Sequence, residues 1–200
     1  MIKFTKLSAL AVIISCLTFI PAQLKAGEPM QQLSATINSF LAILMSTPVA
    51  ELQARGLPAS ARQLIFARFD FAEMTKRSLG SHWNALNPGQ QSEFVEAFTQ
   101  RLLFFYGRTL HSYGGEKIHF KGDVQDRQQA SVETRVVGDS GENLPIDYKL
   151  HDVNGQWKVY DVVIDHVSVV GNYRAQFARV IAKSSVQGLL EKIKVPPQGS

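Results

Sequence analysis

The chain has 200 residues, 45 % of them hydrophobic, with 21 basic and 17 acidic side chains and a formal net charge of +4. That length allows one ordinary domain with a small appendage, and the apolar content is ample for a core. A single cysteine, Cys16, excludes an internal disulfide and a thiolate metal site.

The N-terminus reads as a separate object. Lys3 and Lys6 form a positive flank, residues 7–20 are an apolar run, and residues 21–26 are a short polar close. Such a run is too short for a membrane anchor and fits a secretory signal peptide, cleaved after Ala26. Ile13-Ile14-Ser15-Cys16 also has the form of a lipobox, which would tether the chain through a lipid on Cys16. The apolar residues 17–20 argue against that, because a lipoprotein turns polar at this point. A soluble exported product is therefore expected, with one domain over residues 27–195 and a disordered tail at 196–200. Loss of Lys3, Lys6 and Lys25 leaves 18 basic and 17 acidic side chains, a net of +1. This near-neutral balance gives no support to nucleic-acid binding, which needs a dense basic face.

Leu33, Ile37, Phe40, Leu41 and Leu44 recur at helical spacing and predict a helix over residues 30–44. Pro48 and Gly56-Leu57-Pro58 break the chain, and Pro58 suits the first turn of a second helix ending near residue 66. Asp70 followed by Glu73 is a capping-box signature for a short helix that stops at Gly80. Asn87-Pro88-Gly89-Gln90 opens the longest helix, expected to run to about residue 113. Phe94, Val95, Phe98, Leu102, Phe105, Tyr106, Thr109 and Tyr113 share one side of it, widened by Leu103 and Leu110. That apolar arc covers about half the circumference, against the ~100° stripe of an ordinary surface helix. It must cover more than one partner.

The texture then changes to period two. Ile118, Phe120, Gly122 and Val124 alternate with His119, Lys121 and Asp123. Ala130, Val132, Thr134 and Val136 form the apolar set of a second strand, and Ile146, Tyr148 and Leu150 that of a third. These are half-buried antiparallel strands. Asp139-Ser140-Gly141 turns the second into the third, and Asn154-Gly155 is a hairpin signal into a fourth over residues 156–164. In the fourth, Trp157, Val159 and Val163 point one way and Tyr160, Val162 and Ile164 the other, so both faces are apolar. A central strand in a curved sheet explains this, and so does a strand lining a cavity. Tyr173, Phe177, Val180 and Ile181 mark one face of a last helix, and residues 189–194 add a further turn or so. Helices grouped on one face of an antiparallel sheet make an α+β fold.

Candidate chemistry is sparse. His82, His111, His119, His151 and His166 show no HxH, HxxxH or HExxH spacing, and neither GxSxG nor a phosphate-cradling glycine loop occurs. No metal site, cofactor site or catalytic set is expected from these patterns. Asp161, Asp165 and His166 remain as enzyme candidates, since parity puts Asp161 on the face of Trp157 and Val159, where it would suit the base of an isomerase or hydrolase. The simpler reading is structural: Asp161 at a bulge or edge, with Asp165 or Ser168 capping the last helix. What is left is apolar surface in excess of a tidy core, as in a domain that encloses an apolar ligand.

FDFAEMTKRSLGSHW, LNPGQQSEFVEAF, IDYKL and GQWKVYDVVIDHVSVVGNYRAQF, in this order, together resemble the MlaC-like family, also called toluene-tolerance proteins, in a match that runs over about residues 35–193. The resemblance implies a curved four-stranded antiparallel sheet like that of nuclear transport factors, packed on one face by helices, with a helical subdomain. It implies a periplasmic phospholipid carrier, without cofactor, that works between an outer-membrane lipoprotein–porin complex and an inner-membrane ABC transporter with a lipid-binding ring. Acyl chains would lie between sheet and helices. The expected lining is Phe98, Leu102, Phe105 and Tyr106 from the long helix, Ile146, Tyr148, Leu150, Trp157, Val159 and Val163 from the sheet, and Val167, Val169, Tyr173 and Phe177 from the final block. Asn172 and Arg174, beside Gly171 at a helix start, are expected near the head-group phosphate. A carrier of polycyclic lipids such as hopanoids would use the same fold. One departure stands out: the family commonly has glycine where this chain has His166.

Overall fold

A computed structural model of the chain describes residues 27–110, 115–138, 141 and 143–194. The expected signal peptide with Cys16, His111 and Tyr113 beyond the long helix, the turn at Asp139-Ser140 and the C-terminal tail lie outside these residues, as do the side chains of Thr109 and Leu110.

Helix α1 (Glu28–Ser46) precedes α2 (Val49–Arg55), a short helix in the stretch that proline and glycine mark only as a break, and α3 (Ala59–Arg68) follows Pro58. Helix α4 (Phe71–Leu79) begins as its capping box dictates, with the Asp70 carboxylate accepting the Glu73 amide at 2.9 Å. It stops at Gly80, whose φ of +58° a side-chain-bearing residue adopts only at a cost. A 3-10 turn (Gly80–Ala85) leads to α5 (Pro88–Leu110). Here Asn87 and Gln90 cap each other reciprocally, each side-chain oxygen accepting the other's amide at 2.9 and 3.0 Å.

Strands β1 (Lys117–Asp126), β2 (Gln129–Val137), β3 (Asn143–Val153) and β4 (Gln156–Ile164) form an antiparallel meander, and a two-residue β5 (Val167–Ser168) adds a fifth strand to the expected four. Helices α6 (Val169–Lys183) and α7 (Val186–Lys194) close the chain. Asp165 and His166 form the two-residue turn from β4 to β5 with φ of 47° and 64°, so His166 adopts the left-handed conformation that glycine takes most easily.

Two bulges alter the expected alternation. In β1 the register slips between Phe120 and Gly122, so Asp123 lies opposite Val132 on the packed face and Val124 turns outward, 71 % exposed. In β4 the extra residue is Tyr160, since Leu150 pairs with Val159 and Lys149 with Asp161. Beyond it Val162 and Ile164 stand opposite Tyr148 and Ile146 on the apolar face. Val163, expected on that face, falls opposite Asp147 on the other one.

The buried residues form two clusters. One joins Phe71, Met74, Phe94, Phe98, Leu102, Tyr173, Phe177 and Leu190 among α4, α5, α6 and α7. The other joins Leu33 of α1 to Ala130, Val132, Leu150, Trp157 and Val159 on the sheet. Arg68 ties the second together: its guanidinium donates to Thr36 Oγ1 and Gln32 Oε1, both at 3.0 Å, and to the Trp157 carbonyl. A domain of this size usually builds one contiguous core. Here two cores flank a seam.

Candidate functional site

The seam is built by the sheet. Ile146, Tyr148, Val162 and Ile164 share the apolar face, and all four are only half-buried. Val162 and Phe69 each pack against both clusters and mark the line where the two meet. Phe69 is fixed there by a bridge to Val159, with the next amide, that of Asp70, donating to the Val159 carbonyl at 2.8 Å. Tyr148 is deep enough that burial pushes its phenol up to about 12, yet its side chain keeps accessible surface.

The C-terminal part of α5 supplies an apolar edge. Phe104, Phe105 and Tyr106 are 40 %, 41 % and 39 % exposed, three large rings in succession on a helix whose earlier apolar residues Phe94, Phe98 and Leu102 are buried. Phe104 and Phe105 meet edge to face at 5.8 Å, and the Arg101 guanidinium lies 5.3 Å from the centre of the Phe105 ring. Desolvation raises the Tyr106 phenol above its ordinary value, with Tyr173 and Asp161 adding to the shift. The Tyr173 phenol is also raised by desolvation, partly opposed by Arg101, which hydrogen-bonds to it. The exposed aromatic end of α5 thus carries a cation of its own.

The residues expected to line a site separate into three groups. Phe98, Leu102, Val169, Tyr173 and Phe177 are buried in the helical cluster, and Phe98 sits edge-on to Tyr173 and Phe177 at 4.8 and 5.3 Å. Leu150, Trp157 and Val159 are buried under α1. Phe105, Tyr106, Ile146 and Tyr148 retain accessible apolar surface. Val163 faces away, and Val167 is 57 % exposed on β5. Val162, Ile164, Phe69 and Phe104 belong with the accessible group and are absent from the expected lining. The doubly apolar character of β4 was the signal for the first two.

Asp161 is buried, but the bulge at Tyr160 sets it opposite Lys149, off the face of Trp157 and Val159 where parity put it, and it serves as a cap. Its Oδ2 accepts the Ser168 hydroxyl at 2.6 Å and its Oδ1 accepts the Val170 amide at 3.0 Å, while Ser168 Oγ accepts the Gly171 amide at 2.8 Å. The amides at the start of α6 that a phosphate was expected to use are therefore taken by side chains. Asn172 is exposed and accepts from Gln176, and Arg174 lies over Gly80 on the wall of a cleft of about 360 Å³ that Asp161, Lys76 and Arg77 also line. His166 is exposed in its turn. Among the described residues no three histidine, cysteine or carboxylate side chains are grouped to hold a metal ion.

The family model described as MlaC protein matches residues 34–195. The chain belongs to the MlaC family. Among relatives, toluene tolerance protein ttg2D of Pseudomonas putida is 32 % identical over 98 residues, covering 48 % of this chain and 46 % of that protein. The intermembrane phospholipid transport system binding protein MlaC of Haemophilus influenzae is 22 % identical over 121 residues, covering 58 % of this chain and 56 % of that protein. The chain thus spans about half the length of the curated relatives it matches. Among solved structures, the phospholipid-binding protein from Ralstonia solanacearum, in complex with a phospholipid, superposes with a TM-score of 0.67 at 27 % identity, over 80 % of this chain and 93 % of that one. The MlaC assignment agrees with the mixed helix and antiparallel-sheet fold.

Proposed function

We propose that this protein is a periplasmic carrier of glycerophospholipid, holding the acyl chains in the seam between its two apolar clusters. One observation carries the reading: Tyr148, Ile146, Val162 and Ile164 form an apolar wall that the two cores leave only half-buried, in an MlaC-family chain whose structural relative binds a phospholipid. A diacyl lipid has about 30 methylenes, and their exposure to water costs on the order of 25 kcal/mol at ~0.8 kcal/mol each. A carrier must replace most of that burial with adaptable apolar contacts and still release the lipid. Two cores that meet along a seam can part without either one unfolding. The chains enter there, beside the open aromatic end of α5, and the head group stays outside, where Arg101 is the cation at hand for its phosphate.

The protein acts as a carrier and not as a catalyst. Asp161, the strongest candidate base, has both carboxylate oxygens committed to the start of α6. In this reading lipid passes between an outer-membrane lipoprotein–porin complex and an inner-membrane ABC transporter. The test is native mass spectrometry of the protein purified from the periplasm of a bacterial host, with lipid extraction. A copurified diacyl phospholipid supports the proposal. A polycyclic lipid, or an empty protein that takes up no phospholipid from vesicles, overturns it.

A further inference from the structure

The bulge in β1 has a chemical consequence at the start of the domain. It turns Asp123 onto the packed face of the sheet, opposite the fully buried Val132, where a carboxylate needs a partner. The partner is the backbone nitrogen of Gly27, 3.0 Å from Asp123 Oδ1, at the residue that caps α1. Glycine leaves room for this contact: a Cβ at position 27 would lie 2.1 Å from Asp123 Oδ2 and 2.9 Å from its Cγ and would push the carboxylate aside. Gly27 is also the residue directly after Ala26, where the charge and hydropathy of residues 1–26 place the export cleavage.

We propose that Asp123 is the receptor for the new N-terminus, so that export cleavage itself completes a latch between α1 and the sheet. Water adds across the Ala26–Gly27 peptide, the C–N bond breaks, Ala26 keeps a carboxylate, and the Gly27 amine takes up a proton at neutral pH. The neutral N–H donor facing Asp123 becomes an ammonium, and a single hydrogen bond becomes a charge-assisted one, about twice as strong. An ammonium at a helix start opposes the positive end of the helix dipole, and the carboxylate offsets that repulsion. The short loop-free entry into α1 and the missing side chain at position 27 both serve this contact. The inference rests on the export reading and is independent of what the seam binds.

The test compares four proteins: wild type and Asp123→Asn, each exported with the native leader or made in the cytoplasm with three extra residues before Gly27. Intact mass fixes the first residue of the exported form. The expected result is a mature wild type that melts about 3 °C above mature Asp123→Asn, with at least half of that gap lost in the extended pair. Gly27→Ala, exported and cleaved, should lose as much as Asp123→Asn, because its methyl displaces the carboxylate. Should Asp123→Asn fail to fold, the extended wild type decides alone, by melting below the mature form. A first residue other than Gly27, equal melting of the mature pair, or an equal gap in the extended pair each overturns the proposal. Bound lipid, measured in parallel, should be the same in all folded forms.

Discussion

Phe98 and Phe105 lie two turns apart on α5 and should respond in opposite ways to truncation. Phe98 is 0 % exposed, with Tyr173 and Phe177 edge-on at 4.8 and 5.3 Å. Phe98→Ala removes a fully packed ring, which costs about 4 kcal/mol, and the two edge contacts contribute about 1 kcal/mol each of that. A chain of this size loses roughly 3 °C in Tm per kcal/mol, so the variant should melt about 12 °C lower. Phe105 is 41 % exposed, and Phe105→Ala forfeits only partial burial, about 1 kcal/mol or ~3 °C. Bound lipid should follow the reverse order. Phe105→Glu places its charge at a water-accessible edge, so the protein should stay folded and lose most of its phospholipid. The buried Leu102→Glu should unfold the domain, because the position is 5 % exposed and packed in the helical cluster. Circular-dichroism melting beside lipid extraction and mass spectrometry measures both quantities on each variant. A folded Phe105→Glu with a full complement of lipid would refute the placement of the ligand against the end of α5. So would a Phe98→Ala that melts no lower than Phe105→Ala.

Asp161→Asn keeps the shape of the α6 cap but weakens its bonds to Ser168 and Val170, so it should cost about 1–2 kcal/mol in denaturant melts and still copurify with lipid. Complete loss of lipid from the folded variant would reveal a polar determinant in the site. His166→Gly relieves a left-handed residue and should raise Tm by about 2 °C, a net gain of roughly 0.5–1 kcal/mol after the added chain entropy of glycine. An unchanged or lower Tm would mean that the turn carries no strain at this position. The Tyr148 phenol ionises at about 12 in the folded protein against an ordinary 10.0, so the neutral form is favoured by folding. Stability from this group is present below pH 10 and lost as pH rises toward 12, by about 2–3 kcal/mol in all. Tyr148→Phe should flatten that part of the stability-versus-pH curve, and an identical alkaline limb in the variant would contradict the buried phenol.

The long helices, the first four strands, the caps of α4 and α5 and the apolar faces of β2 and β3 are local properties, and the sequence by itself determined them, whereas α2 and β5 were not read from it. Asp70 with Glu73, Asn87 with Gln90 and the left-handed stop at Gly80 act within one helical turn, so their chemistry is readable from spacing alone. The family was legible as well, because its blocks span the sheet and the last helix in order. Tertiary structure decided which way β1 and β4 face after their bulges. A one-residue slip reverses every later side chain, and the slip is set by pairing with another strand, which period-two reading cannot see. That reversal moved Val163 off the apolar face and Val162 and Ile164 onto it, and it turned Asp123 toward α1. It also decided which apolar residues are core and which are wall. Phe98 and Phe105 are the same residue type on the same helix, and only the arrival of α6 against the first separates them. Burial is a property of neighbours brought together from distant parts of the chain, so apolar pattern marks the candidates and packing chooses among them.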